Sequence, residues 1–181
     1  MWSFTNWEAQ TDEYRIVYSP ALPATLDLAA FELEMASEPG KEYLLKEALE
    51  RVSCLLDFII IDCSPNLGLL TVKALTAIDY YICPVLPHHL SIFGFSSMIE
   101  VVDKVQRRLN PNLDLAGIVM PQFNKHNELH RDTAEVIKSH FGNKLFLSTI
   151  PENIALAEAP SSGKSNFDYS PQSTGAIEYM K

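Results

Sequence analysis

Residues 57–68 read Asp-Phe-Ile-Ile-Ile-Asp-Cys-Ser-Pro-Asn-Leu-Gly. Four apolar residues, Phe58 to Ile61, run unbroken and end on a carboxylate, Asp62. A short β-branched run bounded by polar residues predicts a strand buried on both faces. Burying each such side chain is worth roughly 1.5–3 kcal/mol, which places the strand at the centre of a sheet. Pro65 stops it, and Asn66 is positioned to cap a helix starting near Leu67. An acid at the carboxyl end of a central parallel strand lies where open α/β sheets bind ligands. Read alone, Asp62 is equally a loop acid capping a turn.

The chain around this stretch alternates strand and helix. Arg15–Ser19 reads as a strand, stopped by Pro20 and Pro23. Thr25 or Asp27 caps a helix through about Ala36, and Pro39-Gly40 breaks it. Glu42–Leu55 carries Leu44, Leu45, Ala48, Leu49 and Val52 at helical spacing. A helix over 67–77 follows the opening strand. Tyr80–Val85 is the next strand, with Pro84 ending its ladder. Further on come a long helix over 91–109, a strand over 115–120 stopped by Pro121, and a helix over 127–141 closed by Gly142. A strand over 145–150 stopped by Pro151, a short helix over 153–158 and a loop-rich tail with a last turn at 174–180 complete the pattern. The fold class is α/β, a layered, mostly parallel sheet with helices on both faces. Residues 1–13 form an irregular N-terminal segment, where Trp2, Phe4 and Trp7 read as stray aromatic anchors or, second, as a partner-binding patch, and residues 14–181 form one domain.

Composition narrows the function classes. The 181 residues are 47% hydrophobic and 20% charged, as in ordinary soluble proteins. A net charge of −9 argues against coating nucleic acid by bulk electrostatics. Cys54, Cys63 and Cys83 have no CxxC spacing and no paired histidines, so they read as buried reduced thiols rather than zinc ligands. That suits a cytoplasmic protein. The first residues lack the basic flank and apolar core of a signal peptide, and no apolar run approaches the ~20 residues of a membrane span.

Several segments, in order, resemble the ParA/Soj branch of the ParA/MinD partitioning ATPases. DFIIIDCSPNLGLLTVKALTAIDYYICPV is similar to the Walker B region of that family, hhhIDCPPxLGxLTxNALxAAD and a following strand ending in Pro-Val. LDLAAFELEMASEPGKEYLLKEALE, LNPNLDLAGIVM and IPENIALAEAPSSGKSNFDYSPQSTGAIEY resemble IDLAGAEIEL…REYxLKEAL, LNPxLxIxGVLxT and IPRNVRLSEAPSxGKPxxxYDPxSxGAxAY. The match covers roughly residues 14–180.

The resemblance implies a deviant-Walker P-loop NTPase fold and a cytoplasmic role in chromosome or plasmid partition, with ATP and Mg²⁺ as the family's cofactors. It makes Asp62 the Walker B acid, holding Mg²⁺ through water. Ser64, Pro65 and Gly68 would move with nucleotide state. Pro121, Pro151 and Glu152 would border the base pocket. Partners would include a ParB-like protein or a full-length ParA-like homologue, and a dimer.

The 181 residues hold no KGGxGKT phosphate loop and no DxDPQ switch segment, so the family's first β-loop-α unit is missing. That loop supplies backbone N–H groups, a charged lysine and an Mg²⁺-binding hydroxyl. Ser162-Gly163-Lys164-Ser165 has the GKS ending, but Glu158 stands where the first glycine belongs. Autonomous ATP hydrolysis and tight nucleotide binding are therefore not expected. The family's basic DNA contacts are replaced by Glu152, Ala155 and His126, so DNA binding in the family manner is not expected either. Lys125, Arg131, Lys138, Lys144 and Lys164 remain as a patch or as scattered solvated charges. Without the phosphate-loop strand, Phe58–Ile61 faces an unpaired edge, which predicts an aggregation-prone or partner-dependent chain. The readings from another class are a catalytically dead binding module using the helix over 91–109, and an enzyme built on His88, His89 or His126; no nucleophile or metal spacing accompanies those histidines.

Overall fold

The best-buried strand is not the opening run but β2, Asp114–Pro121. Ile118 is 0% exposed, and Leu115 and Met120 are also buried. The β2 strand takes the middle of a three-stranded sheet, order β1-β2-β3, with β1 at Tyr80–Pro84 and β3 at Leu145–Ile150. Both pairings are parallel. Register places Cys83 beside Ile118, and Pro121 beside Ile150. The computed structural model describes residues 21–24 and 27–181. The expected irregular start and the strand at Arg15–Ser19 fall outside these residues.

The chain divides into two compact units, residues 1–37 and 38–181. In the first, helix α1 spans Asp27–Glu34 and a 3-10 turn follows at Met35–Ser37. The second holds the sheet, with α2 at Leu44–Glu50, α3 at Leu69–Ala77, α4 at His89–Arg108 and α5 at Glu128–Phe141. Short helices α6 (Ile154–Glu158), α7 (Asn166–Tyr169) and α8 (Thr174–Tyr179) follow.

Two apolar clusters bind helices to strands. One joins Cys83, Val85, Leu115, Ile118 and Met120 to Phe95 of α4 and Ile137 of α5. Its rings Phe95 and Phe141 are tilted, with centroids 5.1 Å apart. The other joins Leu75 of α3 to Val102, Val105 and Leu113. Gly117 permits a close approach: a Cβ there would run into the Phe146 ring. Asn127 caps α5 by accepting from Leu129 N, and Gly142 ends it at φ 57°.

Three expectations need correction. Phe58–Ile61 forms no strand, and Phe58 and Ile60 are 88% and 92% exposed. A β-branched run becomes a buried strand only where neighbours supply a ladder and covering side chains. Among the described residues, β1 pairs only with β2, so its other edge offers the run no ladder. Second, the helix expected over 42–55 is broken after Glu50, and Ser53–Leu55 is a separate 3-10 turn. Ser53 Oγ donates to the Glu50 carbonyl at 3.2 Å, a local bond that competes with helix continuation. Third, Cys54 and Cys63 are exposed, and only Cys83 is buried.

The thiols give a direct check. Burial pushes the Cys83 thiol up to about 11. Partial burial, and then the Asp62 carboxylate, raise that of Cys63. With a disulfide reagent at pH 8, Cys54 and Cys63 are expected to react in the folded chain, and Cys83 only on unfolding. Asp62→Asn is expected to speed Cys63 roughly twofold by removing the adjacent charge. Rapid labelling of all three native thiols would contradict this packing.

Candidate functional site

The carboxyl ends of three parallel strands converge, and the chain turns there into three helices. Val85 N donates to Val119 O at 2.9 Å, carrying the β1–β2 alignment one residue past β1. Phe123 N donates to Ile150 O at 3.0 Å, binding the segment after β2 to the end of β3. His88, Asn127 and Asn153 are the N-caps of α4, α5 and α6. The last two close their caps with side-chain oxygens, Asn153 accepting from Ala155 N at 2.9 Å. Helix starts facing strand ends concentrate backbone N–H groups at the sheet edge where α/β folds hold ligands.

The expected site residues divide into two groups. Pro121, Pro151 and Glu152 come together: Pro121 pairs with Ile150, and Pro151 and Glu152 follow at once. Each proline ends its strand because it has no N–H for the ladder. Glu152 is exposed and Ala155 half-buried. Asp62, Ser64 and Pro65 lie instead in a stretch outside the sheet, all three exposed. Mg²⁺ needs an octahedral set of oxygens, filled in nucleotide sites by one or two carboxylates, waters and phosphates. Asp62 supplies one carboxylate, and among the described residues no three His, Cys, Asp or Glu side chains are grouped as a metal site would need.

Several residues at this edge went unseen in the sequence. His130, in the first turn of α5, is 7% exposed, and its Nδ1 accepts from Asn124 N at 3.0 Å. Its ring stands edge-on to His88, centroids 5.5 Å apart, and is tilted against Phe123 at 5.9 Å. Gln122 adopts a left-handed φ of 57°. The only advance signal was a polar residue three places past a capping asparagine. Two cations of the basic patch are engaged elsewhere. Lys144 Nζ donates to Asp114 Oδ2 at 3.0 Å and to the Leu115 carbonyl, which holds the Asp114 carboxyl below its ordinary range. Arg131 Nη1 donates to the Lys125 carbonyl at 3.1 Å.

Comparison with known proteins fits this geometry. An AAA-domain family model matches residues 8–115. The sporulation initiation inhibitor protein Soj of Bacillus subtilis is 40% identical over 88% of this chain and 63% of its own length. The chromosome partitioning protein ParA of Caulobacter vibrioides is 33% identical over 88% of this chain and 61% of its own length. The chain thus spans about three-fifths of the curated relatives it matches. A crystal structure of cobyrinic acid a,c-diamide synthase from Mycobacterium smegmatis, with an ATP analogue and magnesium, superposes with a TM-score of 0.75. It shares 28% identity and covers 91% of this chain and 61% of the other. No helix among the described residues is long and apolar enough to cross a membrane.

Proposed function

The chain belongs to the ParA/Soj branch of the ParA/MinD partitioning ATPases, and from that premise we propose that these 181 residues contribute part of a nucleotide site that serves DNA segregation. These 181 residues supply the acid Asp62 and the base-side border Pro121, Pro151 and Glu152, but no phosphate loop. That lack carries the reading. Charge on nucleotide phosphates is met by a lysine and a row of backbone N–H groups in P-loop enzymes, and a single carboxylate cannot replace them. By itself the chain neither turns over ATP nor holds it tightly.

The test is a phosphate-release assay on the 181-residue chain and its Asp62→Ala variant with ATP and Mg²⁺. Both are expected at the no-enzyme background. Turnover in the chain that vanishes in Asp62→Ala would overturn the proposal. Adding an in-frame KGGxGKT strand-loop-helix segment is expected to create turnover that depends on Asp62.

A second reading, a catalytically inactive module acting through protein partners, is favoured by the exposed apolar Phe58 and Ile60. Here the partner is a full-length homologue. Co-elution with such a homologue, lost in a Phe58→Ser/Ile60→Ser double variant, supports it; monodisperse elution of the two chains apart counts against it.

A further inference from the structure

We propose that His130 is a proton-operated latch on the turn between β2 and α5. The turn is held at two successive amides. Phe123 N donates to Ile150 O, and Asn124 N donates to His130 Nδ1, both at 3.0 Å. Immediately before them Gln122 sits at φ 57°, a conformation non-glycine residues seldom adopt and one its surroundings must hold in place. After them the turn closes on itself: His126 N donates to Asn124 Oδ1 at 2.9 Å, and Asn127 N to Asn124 O at 3.0 Å. Asn124 is thus the point through which His130 holds the second half of the turn.

An imidazole nitrogen that accepts a hydrogen bond is unprotonated, so this bond fixes the neutral ring with its proton on Nε2. A proton arriving at Nδ1 takes the lone pair that Asn124 N uses. Proton uptake and the latch exclude each other. The ring is 7% exposed and lies in the first turn of α5. A single proton therefore has a mechanical outcome, release of the Asn124 amide beside the strand ends, with the Phe123 bond to Ile150 left in place.

Other charged and titratable groups lie near the turn along the elements that meet here. His88 and His89 lead into α4, and Lys125 and His126 lie on the turn itself. Glu128, Arg131 and Asp132 share α5, and Glu152 follows β3. His88 stands edge-on to His130, so protonation of both rings adds repulsion and works in the same direction. The acids compensate only in part, because the lost acceptor is a directional bond that nearby negative charge does not restore.

The experiment is an NMR titration of the 15N-labelled 181-residue chain from about pH 8 to 5. At the alkaline end, His130 is expected as the Nε2–H tautomer. As its ring takes up a proton, the Asn124 amide resonance is expected to move with the same midpoint. Its protection from exchange, corrected for intrinsic rate, should fall on the order of fivefold, the loss of one hydrogen bond. His130→Gln keeps an acceptor that does not titrate, so its Asn124 amide should stay level with pH while His88 still titrates. The proposal is overturned by an Nδ1–H tautomer at pH 8, by an Asn124 amide indifferent to the protonation of His130, or by a pH response that survives in His130→Gln. Should that variant fail to fold, the wild-type tautomer and paired midpoints decide alone.

Discussion

Asn110→Leu is expected to lower the unfolding free energy by roughly 2–4 kcal/mol, measured as the shift in a urea transition. Asn110 is 7% exposed, yet its amide group reaches across to the end of α3. Nδ2 donates to Leu75 O at 3.0 Å and to Ile78 O at 2.7 Å. Carbonyls in the last turn of a helix have no intrahelical partner and need one from elsewhere. Leucine has the branched outline of asparagine and no donor, so it removes both bonds, and its greater bulk adds strain to their loss. Each buried carbonyl left unpaired costs about 1–3 kcal/mol. The neighbouring Asn112→Leu changes an exposed residue and should stay within about 0.5 kcal/mol. Equal effects from the two would mean that Asn110 is not holding α3.

The second large effect is expected at the sheet centre. Ile118→Ala should cost about 3–5 kcal/mol, and Ile118→Val about 1. Ile118 is fully enclosed between β1 and β3, and the cluster of Phe95, Ile137 and Met120 surrounds it. A cavity there has rigid ladders on both sides and little freedom to collapse. Leu147, 95% exposed on β3, is the contrast, and Leu147→Ala should leave the urea midpoint almost unchanged. A near-neutral Ile118→Ala would place the core elsewhere.

Local chemistry made much of this fold legible. The β3 strand falls at 145–150 as read, because Pro151 cuts it and apolar residues fill it. The α5 helix lies between Asn127 and Gly142, one capping by side chain and the other by a left-handed backbone. Prolines at 84, 121 and 151 marked the strand ends, and with them the border of the candidate site. Partnership was what the sequence could not show. Phe58–Ile61 has the composition of a central strand, but composition does not say whether a neighbouring strand is there to pair with it. At α3, Asn66 looked like the cap, yet the N-cap is Gly68, and the Asn66 carbonyl accepts from Thr71 Oγ1. His130 stayed hidden because its importance comes from Asn124, a turn residue whose amide donates to the ring, a pairing no periodicity reveals.

The parallel sheet also sets an order of events during synthesis. A hairpin strand meets its partner within a few residues, but β1 ends at Pro84 and its partner β2 is complete only at Pro121. At the ~5–20 residues per second of translation, roughly 2–7 seconds separate the two. Through that interval Ile82 and Cys83 have left the ribosome without their neighbour, and the apolar run Phe58–Ile61 has left before them. The nascent chain is thus most exposed to chaperones and to wrong pairings while it is being made, and β2 is the strand whose arrival ends that exposure.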